Sequence, residues 1–456
     1  MLCLHEVVSR AGSVAFKRFD EVTENHVGGG MNHLQHAFTA ALSVVFALSP
    51  CQTEAQRMSV PTLPVPSGSY AIGRQAVHLI DSARADRFAT DGKRRRELMV
   101  YIWYPVRRPV GQLTGDYLPG AKQMDETSSV QQVMRGEFES RWPLIVSGSI
   151  RSHVLANAPP ATHPGGFPVV LFSHGLLSTS FAYSAQLEDL VSHGYVVVAI
   201  EHTDAAGAVL FPDGQIRAFR RPTSALSGDP LQQMISAMHD ENEIGAEDVR
   251  FVLDTLEKRE LPLVEAMDMQ RIAAVGHSYG GTLTARACQL DPRIRACISE
   301  DGEVNPIGAF LDYPDHALLT QPFLLIEIDR PPPSDEELTH MRETREQWEQ
   351  YLTRERQQLE SCEAGSYRAV LRRPGMVHGS FSDEPVFTTA QESEKASEAI
   401  GNLLLIEEIN RAFLGKYLKR QAAPLLDKHG DAPAGVTVEH FAKQTPRANT
   451  SGDPRR

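Results

Sequence analysis

Cysteine is scarce in this sequence, and its spacing indicates neither a metal site nor a disulfide framework. The five cysteines are Cys3, Cys51, Cys288, Cys297 and Cys362, and no two of them form a Cys-x-x-Cys pair. The histidines are scattered, and there is no His-Glu-x-x-His motif. We therefore expect no metal and no cofactor, and we interpret Cys288 and Cys297 as small, buried apolar residues.

Basic residues are too few and too dispersed to form a nucleic-acid-binding stripe. The chain has 45 Lys and Arg against 58 Asp and Glu, with a net charge of −13. This balance argues against nucleic acid as the main partner, whereas it is compatible with an apolar or zwitterionic lipid substrate. With 41% hydrophobic and 23% charged residues, the composition is that of a globular protein with a full core.

Near the N-terminus, an apolar run from Ala37 to Leu48 is too short to span a bilayer. Its length suits the hydrophobic region of a signal peptide, which we place around residues 31–55 within an N-terminal extension, 1–55. Translation from Met1 or from Met31 fits this pattern. The prediction is therefore a secreted or periplasmic protein. The alternative is an amphipathic N-terminal helix on a cytoplasmic protein.

Strand-like and helix-like stretches alternate through the middle of the chain. Apolar runs at 167–174 and 195–200 flank a helix-like segment, 181–193, and this βαβ order predicts a mostly parallel central sheet with helices on both faces. We assign residues 56–420 to the domain built around this sheet and 421–456 to a flexible tail. An insertion at 111–167 carries apolar groups that either form a lid or lipid-facing surface or pack against the core.

One strand-to-helix junction organises the rest of the chain. The apolar run Ile272 to Val275 stops at Gly276-His-Ser-Tyr-Gly280, and a helix-compatible segment follows directly. This is the Gly-x-Ser-x-Gly nucleophile elbow, in which Ser278 stands clear at a tight, strained turn. The pattern is typical of an α/β-hydrolase fold with Ser278 as the nucleophile.

A serine nucleophile needs a histidine base and an acid that orients it, and in this fold they follow in the order Ser, acid, His. His378 follows the last predicted strand at a glycine-flanked turn, so we predict it as the base. Asp301 and Asp329 each follow a strand, and chain order alone leaves both open as the acid. Glu300 is a third candidate, although strand alternation turns its side chain away from the direction of Asp301.

Two backbone N–H groups are expected to bind the oxyanion. The first is the N–H of Tyr279, which follows the nucleophile. The second comes from the His174-Gly175-Leu176 loop at the end of an upstream strand, and we assign it to Leu176. The sequence thus predicts all the parts of an ester-hydrolysing site at one edge of the sheet.

These motifs together resemble the platelet-activating-factor acetylhydrolases (plasma and intracellular type-two), within the dienelactone-hydrolase-like α/β-hydrolases. The matching residues are Phe172-Ser-His-Gly-Leu176, Tyr183-Ser184, Ser192-His-Gly-Tyr195, Glu201-His202-x-Asp204, Arg271-Ile-Ala-x-x-Gly-His-Ser-x-Gly-Gly281, Arg293-Ile-Arg295 and Pro306-Ile-Gly308. The resemblance covers roughly residues 61–418. It implies that the acid is Asp301, with Asp329 as the alternative. Gly302-Glu303 departs from the family, which often has an aromatic residue there.

The resemblance further implies hydrolysis of short or oxidised acyl chains of glycerophospholipids, as in a 1-alkyl-2-acetylglycerophosphocholine esterase. A broad carboxylesterase or polyester hydrolase on the same fold is the alternative. The expected partner is a small-molecule or lipid ester, and transient contact with a lipid surface stays open. A non-catalytic binding protein on this scaffold is disfavoured because the serine, acid and histidine occur in the correct order.

Overall fold

The computed structural model describes residues 60–89, 92–107, 115–156, 158–220, 230–304, 318–340, 344–362, 365–388, 393–427 and 432–441. The N-terminal extension, with its predicted signal peptide, lies outside these ranges. Within the described part of the chain, no helix is long and apolar enough to cross a lipid bilayer.

Within these ranges, ten strands form the central sheet and four short strands form two small ribbons. The strands are β1 (Ala71–Ala85), β2 (Arg95–Val106), β3 (Gly115–Asp116), β4 (Arg151–Ser152), β5 (Val154–Leu155), β6 (Phe167–Ser173), β7 (Val196–Glu201), β8 (Ala208–Leu210), β9 (Ile216–Ala218), β10 (Met267–His277), β11 (Ile294–Glu300), β12 (Phe323–Ile328), β13 (Ser366–Leu371) and β14 (Val436–Phe441).

The α-helices vary widely in length. They are α1 (Ala121–Asp125), α2 (Ser128–Phe138), α3 (Trp142–Val146), α4 (Ser184–Ser192), α5 (Pro230–Glu257), α6 (Tyr279–Leu290), α7 (Asp335–His340), α8 (Arg345–Ser361), α9 (Glu384–Thr388), α10 (Ser393–Lys419) and α11 (Pro424–Asp427).

The sheet order is β14-β13-β12-β11-β10-β6-β7-β2-β1-β5. The six strands from β13 to β7 run parallel, whereas β14, β2 and β1 each pair antiparallel with a neighbour. The chain steps outward in opposite directions from β6 and β10, so the central crevice opens at the carboxyl ends of these two strands. The predicted α/β-hydrolase architecture is confirmed.

Alternating side chains of the central strands supply two separate cores. On β6, Val170 and Phe172 face the side covered by α4 and α10, while Val169 and Leu171 face the side covered by α5 and α6. Because a parallel strand is covered on both faces, its sequence is almost continuously apolar. Every residue of β6 is buried.

The insertion packs against the first of these cores. Its described part contains α1, α2 and α3, and the side chains of Met134, Phe138 and Trp142 are buried in the cluster that also contains Phe172. The sequence leaves open whether the apolar residues of the insertion form a lid or lipid-facing surface or pack against the core. These three side chains pack against the core.

The described part of the predicted flexible tail differs from that expectation. Helix α11 buries Leu426, and β14 pairs antiparallel with β13 along its whole length. A polar sequence can form this edge strand because only alternate residues face the core and need to be apolar. Val436 and Val438 pack against the core, and the exposed Thr437 lies between them.

The interpretation of Cys288 and Cys297 as free apolar residues was wrong in one respect. Both are fully buried, as expected, but they form a disulfide. The turn between α6 and β11 is short, so the helix and the strand lie side by side with the two Cα atoms 6.7 Å apart. A spacing of nine residues matches no recurrent cysteine motif, so the sequence did not indicate this pairing. Cys362 is buried, and its thiol donates to the Gln321 carbonyl oxygen.

Candidate active site

The junction between β10 and α6 forms a strained turn around Ser278. Its backbone angles are φ 56° and ψ −121°, a conformation that costs a non-glycine residue of the order of 1–3 kcal/mol. A Cβ on Gly276 would lie 2.2 Å from the Gly280 carbonyl oxygen, and one on Gly280 would lie 2.1 Å from that of Ser173. Only glycine fits at these two positions. The turn thus presents Ser278 at the carboxyl edge of the sheet, at the N-terminus of α6.

The serine backbone is tied to the next strand. The Ser278 N–H donates to the Glu300 carbonyl oxygen at 2.8 Å, and a Cβ on Gly302 would lie 2.4 Å from the Ser278 carbonyl oxygen. The side chain of Glu300 is directed at α10, where its Oε1 accepts from Asn410 Nδ2 at 2.6 Å. Glu300, the third candidate acid, is therefore not directed at the histidine.

His378 and Asp301 meet at this edge. His378 begins a 3₁₀ turn, 378–381, and its Nδ1 lies 2.6 Å from Asp301 Oδ2. Asp301 follows β11 directly, is 2% exposed and has φ 50°. The rival candidate, Asp329, points elsewhere and accepts from Arg372 Nε at 2.8 Å. The geometry therefore favours Asp301 over Asp329 as the partner of His378.

An arginine that the sequence did not bring to attention also binds this carboxylate. Arg330 Nη1 donates to Asp301 Oδ1 at 2.8 Å, and Arg330 Nη2 donates to Oδ2 at 2.6 Å. The Ile328 N–H adds a longer contact to Oδ1 at 3.3 Å. Although burial opposes ionisation, the hydrogen bonds from Arg330 and His378 hold the pKa of Asp301 well below its usual range. Asp301 is therefore ionised at neutral pH.

The loop after β6 presents the Leu176 N–H. His202 donates its backbone N–H to His174 Nε2 at 3.1 Å, so the other ring nitrogen of His174, Nδ1, carries the proton and donates to the Gly175 carbonyl oxygen at 2.8 Å. In a planar trans peptide the next N–H points opposite to this carbonyl. Fixing the Gly175 carbonyl thus fixes the direction of the Leu176 N–H.

The second expected donor is the Tyr279 N–H. Tyr279 is the first residue of α6, and the first N–H groups of a helix have no partner within it. The helix dipole adds a positive potential at the same point.

Tyr183 connects the loop after β6 to the strained turn around Ser278. Its hydroxyl accepts from the Gly175 N–H at 3.1 Å and lies 2.8 Å from His277 Nδ1. The His277 ring is buried, with its centroid 4.6 Å from that of His378. Burial, together with the nearby His378, lowers the pKa of His277 well below its usual value, so this ring stays neutral. Sequence reasoning used Tyr183 only as part of a motif, and no spacing signal indicates this hydrogen-bonding role.

A buried ionic network supports the same loop from below. Arg96 on β2 donates to both carboxylate oxygens of Asp248 on α5, at 3.1 and 2.6 Å. Asp248 also lies 3.1 Å from His202 Nδ1, and His202 Nε2 lies 3.1 Å from Ser173 Oγ. The ionic contacts hold the pKa of Asp248 far below its usual range despite complete burial. These residues connect β2, α5 and β7 beneath the loop.

A small pocket opens between the insertion and the segment that follows His378. Its walls include Tyr117, Phe138, Ala182, Glu384 and Phe387. It adjoins the histidine turn, since a Cβ on Gly379 would lie 2.6 Å from Glu384 Oε2. The pocket thus brings apolar side chains of the insertion close to the turn that carries His378.

The chain belongs to the alpha/beta hydrolase family, whose model matches residues 170–439, more than half of the sequence. A second model, platelet-activating factor acetylhydrolase, isoform II, matches residues 56–215. The resemblance noted from the sequence is therefore confirmed.

Similar proteins include the platelet-activating factor acetylhydrolase of Cavia porcellus, which is 28% identical over 41% of this chain and 45% of its own length. A probable 1-alkyl-2-acetylglycerophosphocholine esterase of Arthroderma benhamiae is 26% identical over 73% of this chain and 79% of its own length. The match to the Cavia porcellus protein thus spans less than half of that relative.

Among solved structures, a ferulic acid esterase from Streptomyces cinnamoneus is similar, with a TM-score of 0.59 and 26% identity. The match covers 83% of this chain and 99% of that one. Both the fold and the sequence thus resemble those of esterases.

Proposed function

We propose that this protein is a serine hydrolase that cleaves carboxylic esters through Ser278, His378 and Asp301. The observation that carries the proposal is the strained Ser278 turn at the same sheet edge as a hydrogen-bonded His378–Asp301 pair, 2.6 Å apart. The resemblance to acetylhydrolases and esterases supports the same chemistry.

In the proposed reaction, His378 Nε2 takes the proton of Ser278 Oγ as that oxygen attacks the ester carbonyl carbon. Asp301 holds the Nδ1–H tautomer and stabilises the imidazolium. The N–H groups of Leu176 and Tyr279 bind the oxyanion of the tetrahedral intermediate. The intermediate then collapses, the alcohol leaves with the proton from His378, and water hydrolyses the acyl-enzyme by the same steps.

The substrate class that we propose is a short or oxidised acyl chain on a glycerophospholipid. Support comes from the Arthroderma benhamiae relative, whose name describes an alkylacetylglycerophosphocholine esterase and which aligns over most of both chains. Transient contact with a lipid surface is part of the same proposal, although the apolar side chains with which the described insertion lines the pocket, Tyr117 and Phe138, are themselves buried.

A broad carboxylesterase or polyester hydrolase is the second candidate. It is favoured by the match to a ferulic acid esterase over nearly the whole of that protein. The two candidates share one mechanism and differ only in the alcohol and acyl groups accepted.

Parallel assays separate the two candidates. Initial rates would be measured on 1-alkyl-2-acetylglycerophosphocholine and on p-nitrophenyl esters of graded acyl length, with the Ser278→Ala protein as the control. We expect acetyl release from the phospholipid and a decline in rate with longer unmodified acyl chains. Rapid butyrate-ester turnover without phospholipid turnover would reject the phospholipid proposal and favour the broad esterase.

We also propose export of the protein to the periplasm or the exterior, with a signal peptide around residues 31–55. The support is the short apolar run followed by small residues. N-terminal sequencing of the protein from the native host tests this. A mature N-terminus near residue 56 is expected, while an intact leader in the cytoplasm would contradict it.

A further inference from the structure

Arg330 binds the Asp301 carboxylate directly, although ester hydrolysis by a serine, a histidine and an acid does not require an arginine at this position. Its guanidinium binds Asp301 with both terminal nitrogens, and this parallel, bidentate geometry is the strongest form of an arginine–carboxylate pair. Given the proposed function, we infer that Arg330 is a positioning residue: it orients the Asp301 carboxylate and, by sharing its charge, sets the pH at which His378 becomes a base.

The backbone around Arg330 directs the side chain to this place. Successive residues at the end of a strand point in opposite directions, so Asp329 turns outward to Arg372 while Arg330 turns toward Asp301. Pro331 follows Arg330, and a residue before proline is restricted to extended conformations. Arg330 is thus restricted to an extended backbone conformation two residues after the end of β12, beside the acid.

Asp301, the partner of Arg330, is also held in place by its backbone and by its side-chain contacts. Asp301 has a left-handed backbone conformation, and its N–H donates to the Ile326 carbonyl oxygen at 2.6 Å. One carboxylate oxygen, Oδ2, accepts from both His378 Nδ1 and Arg330 Nη2, each at 2.6 Å. The imidazole and the guanidinium therefore share one oxygen, and rotating the carboxylate would break both contacts.

Because the guanidinium and the imidazole share one carboxylate, the direction in which Arg330 shifts the pKa of His378 can be worked out. The carboxylate stabilises a protonated His378, whereas the adjacent guanidinium carries the same charge as the imidazolium and disfavours it. Arg330 therefore lowers the pKa of His378 relative to a site with an unshared aspartate. Since a charge within ~4–6 Å shifts a pKa by about one unit or more, the effect is large enough to measure.

The other titratable groups described near the His378 ring do not supply a second positive charge in the place of Arg330. His277 at the end of β10 is neutral because burial lowers its pKa, and Glu384 on α9, which lies beside Gly379, carries no positive charge. Glu327 on β12 interacts with Arg368, which donates to it at 2.6 Å. Arg330 is accordingly the cation that contacts the Asp301 carboxylate within the described residues.

Two variants test the inference. Arg330→Gln removes the positive charge, and Arg330→Lys keeps the charge but cannot make the bidentate contact with Asp301. The matched control is Arg372→Gln. Arg372 lies on the neighbouring loop, after β13, and the substitution breaks its arginine–aspartate contact of 2.8 Å with Asp329, the residue before Arg330. The pH dependence of kcat/KM on a p-nitrophenyl ester would be measured for each, after thermal unfolding has confirmed that each is folded.

We expect Arg330→Gln to move the acid limb of the profile about one unit toward higher pH and to lower plateau kcat about tenfold, with KM nearly unchanged. Arg330→Lys should restore the position of the limb but only part of kcat. Arg372→Gln should match the parent protein. A lower kcat in Arg330→Gln with no displacement of the limb would mean a purely structural role and would overturn the inference.

Direct titration of the His378 ring by NMR, with and without Arg330→Gln in a Ser278→Ala background, needs no turnover. An equal His378 pKa in the two proteins would overturn the inference even if the parent protein is an active esterase. Conversely, a raised pKa in Arg330→Gln supports it even if no tested ester is hydrolysed. The two proposals can therefore fail separately.

Discussion

Replacing Asp301 by asparagine is the most informative perturbation of the site. Asp301 Oδ2 lies 2.6 Å from His378 Nδ1, and the carboxylate is almost completely buried. An asparagine amide that donates to Nδ1 stabilises the wrong tautomer, in which Nε2 carries the proton and cannot accept one from Ser278. The expected loss in kcat is about ten-thousandfold.

The matched control is Asp329→Asn. Asp329 has a side chain that is 47% exposed and contacts Arg372, so its loss should change kcat less than about twofold. Steady-state hydrolysis of a p-nitrophenyl ester and the rate of fluorophosphonate labelling would both be measured. Because Asp301→Asn leaves Arg330 facing a neutral partner, unfolding midpoints of both variants must be compared. A large loss in Asp329→Asn with little change in Asp301→Asn would refute the assignment of the acid.

Two further perturbations follow from buried groups near the site. Tyr183→Phe removes the hydroxyl that accepts from the 174–177 loop, and we expect kcat to fall about tenfold. Tyr104→Phe is its control, since it removes a buried hydroxyl that donates at 2.8 Å to a carbonyl outside the site. Each change should cost about 1 kcal/mol of stability, so a similar kcat in both would contradict the positioning role. Burial raises the pKa of Glu300 from 4.5 to about 8, so the folded state holds a proton that the unfolded state releases. Stability should therefore fall as pH rises from about 4.5 to 8. Denaturant unfolding between these pH values should show a smaller fall for Glu300→Gln, and an identical pH dependence would contradict this account.

The fold and the nucleophile turn were predictable because their signals are local. Apolar runs, the glycines at 276 and 280, and the helix-compatible segment after Tyr279 lie within a few residues of each other. His378 could be selected because few histidines follow the serine and only one of them stands at a glycine-flanked turn after a strand.

The acid could not be selected from chain order, since Asp301 and Asp329 both follow strands. Their distinction depends on the directions of the side chains at two strand ends and on which loop carries the opposing arginine. Arg330 was missed for the same reason: it adjoins Asp329 in sequence but contacts Asp301 in space. Such a contact is tertiary and leaves no periodic trace.

The disulfide and the edge strand β14 were missed for other reasons. Cys288 and Cys297 have the burial expected of apolar residues, and only the close approach of α6 and β11 brings the sulfurs together. In β14, the alternation of Val436 and Val438 is brief and lies within polar sequence, so the composition of the tail obscured it.

Labelling with a fluorophosphonate probe, followed by peptide mass spectrometry, tests the central claim most directly. The account predicts a single covalent adduct on Ser278, loss of that adduct in Ser278→Ala, and parallel loss of ester hydrolysis. A folded protein that hydrolyses esters without labelling at Ser278, or that labels at another serine, would contradict it.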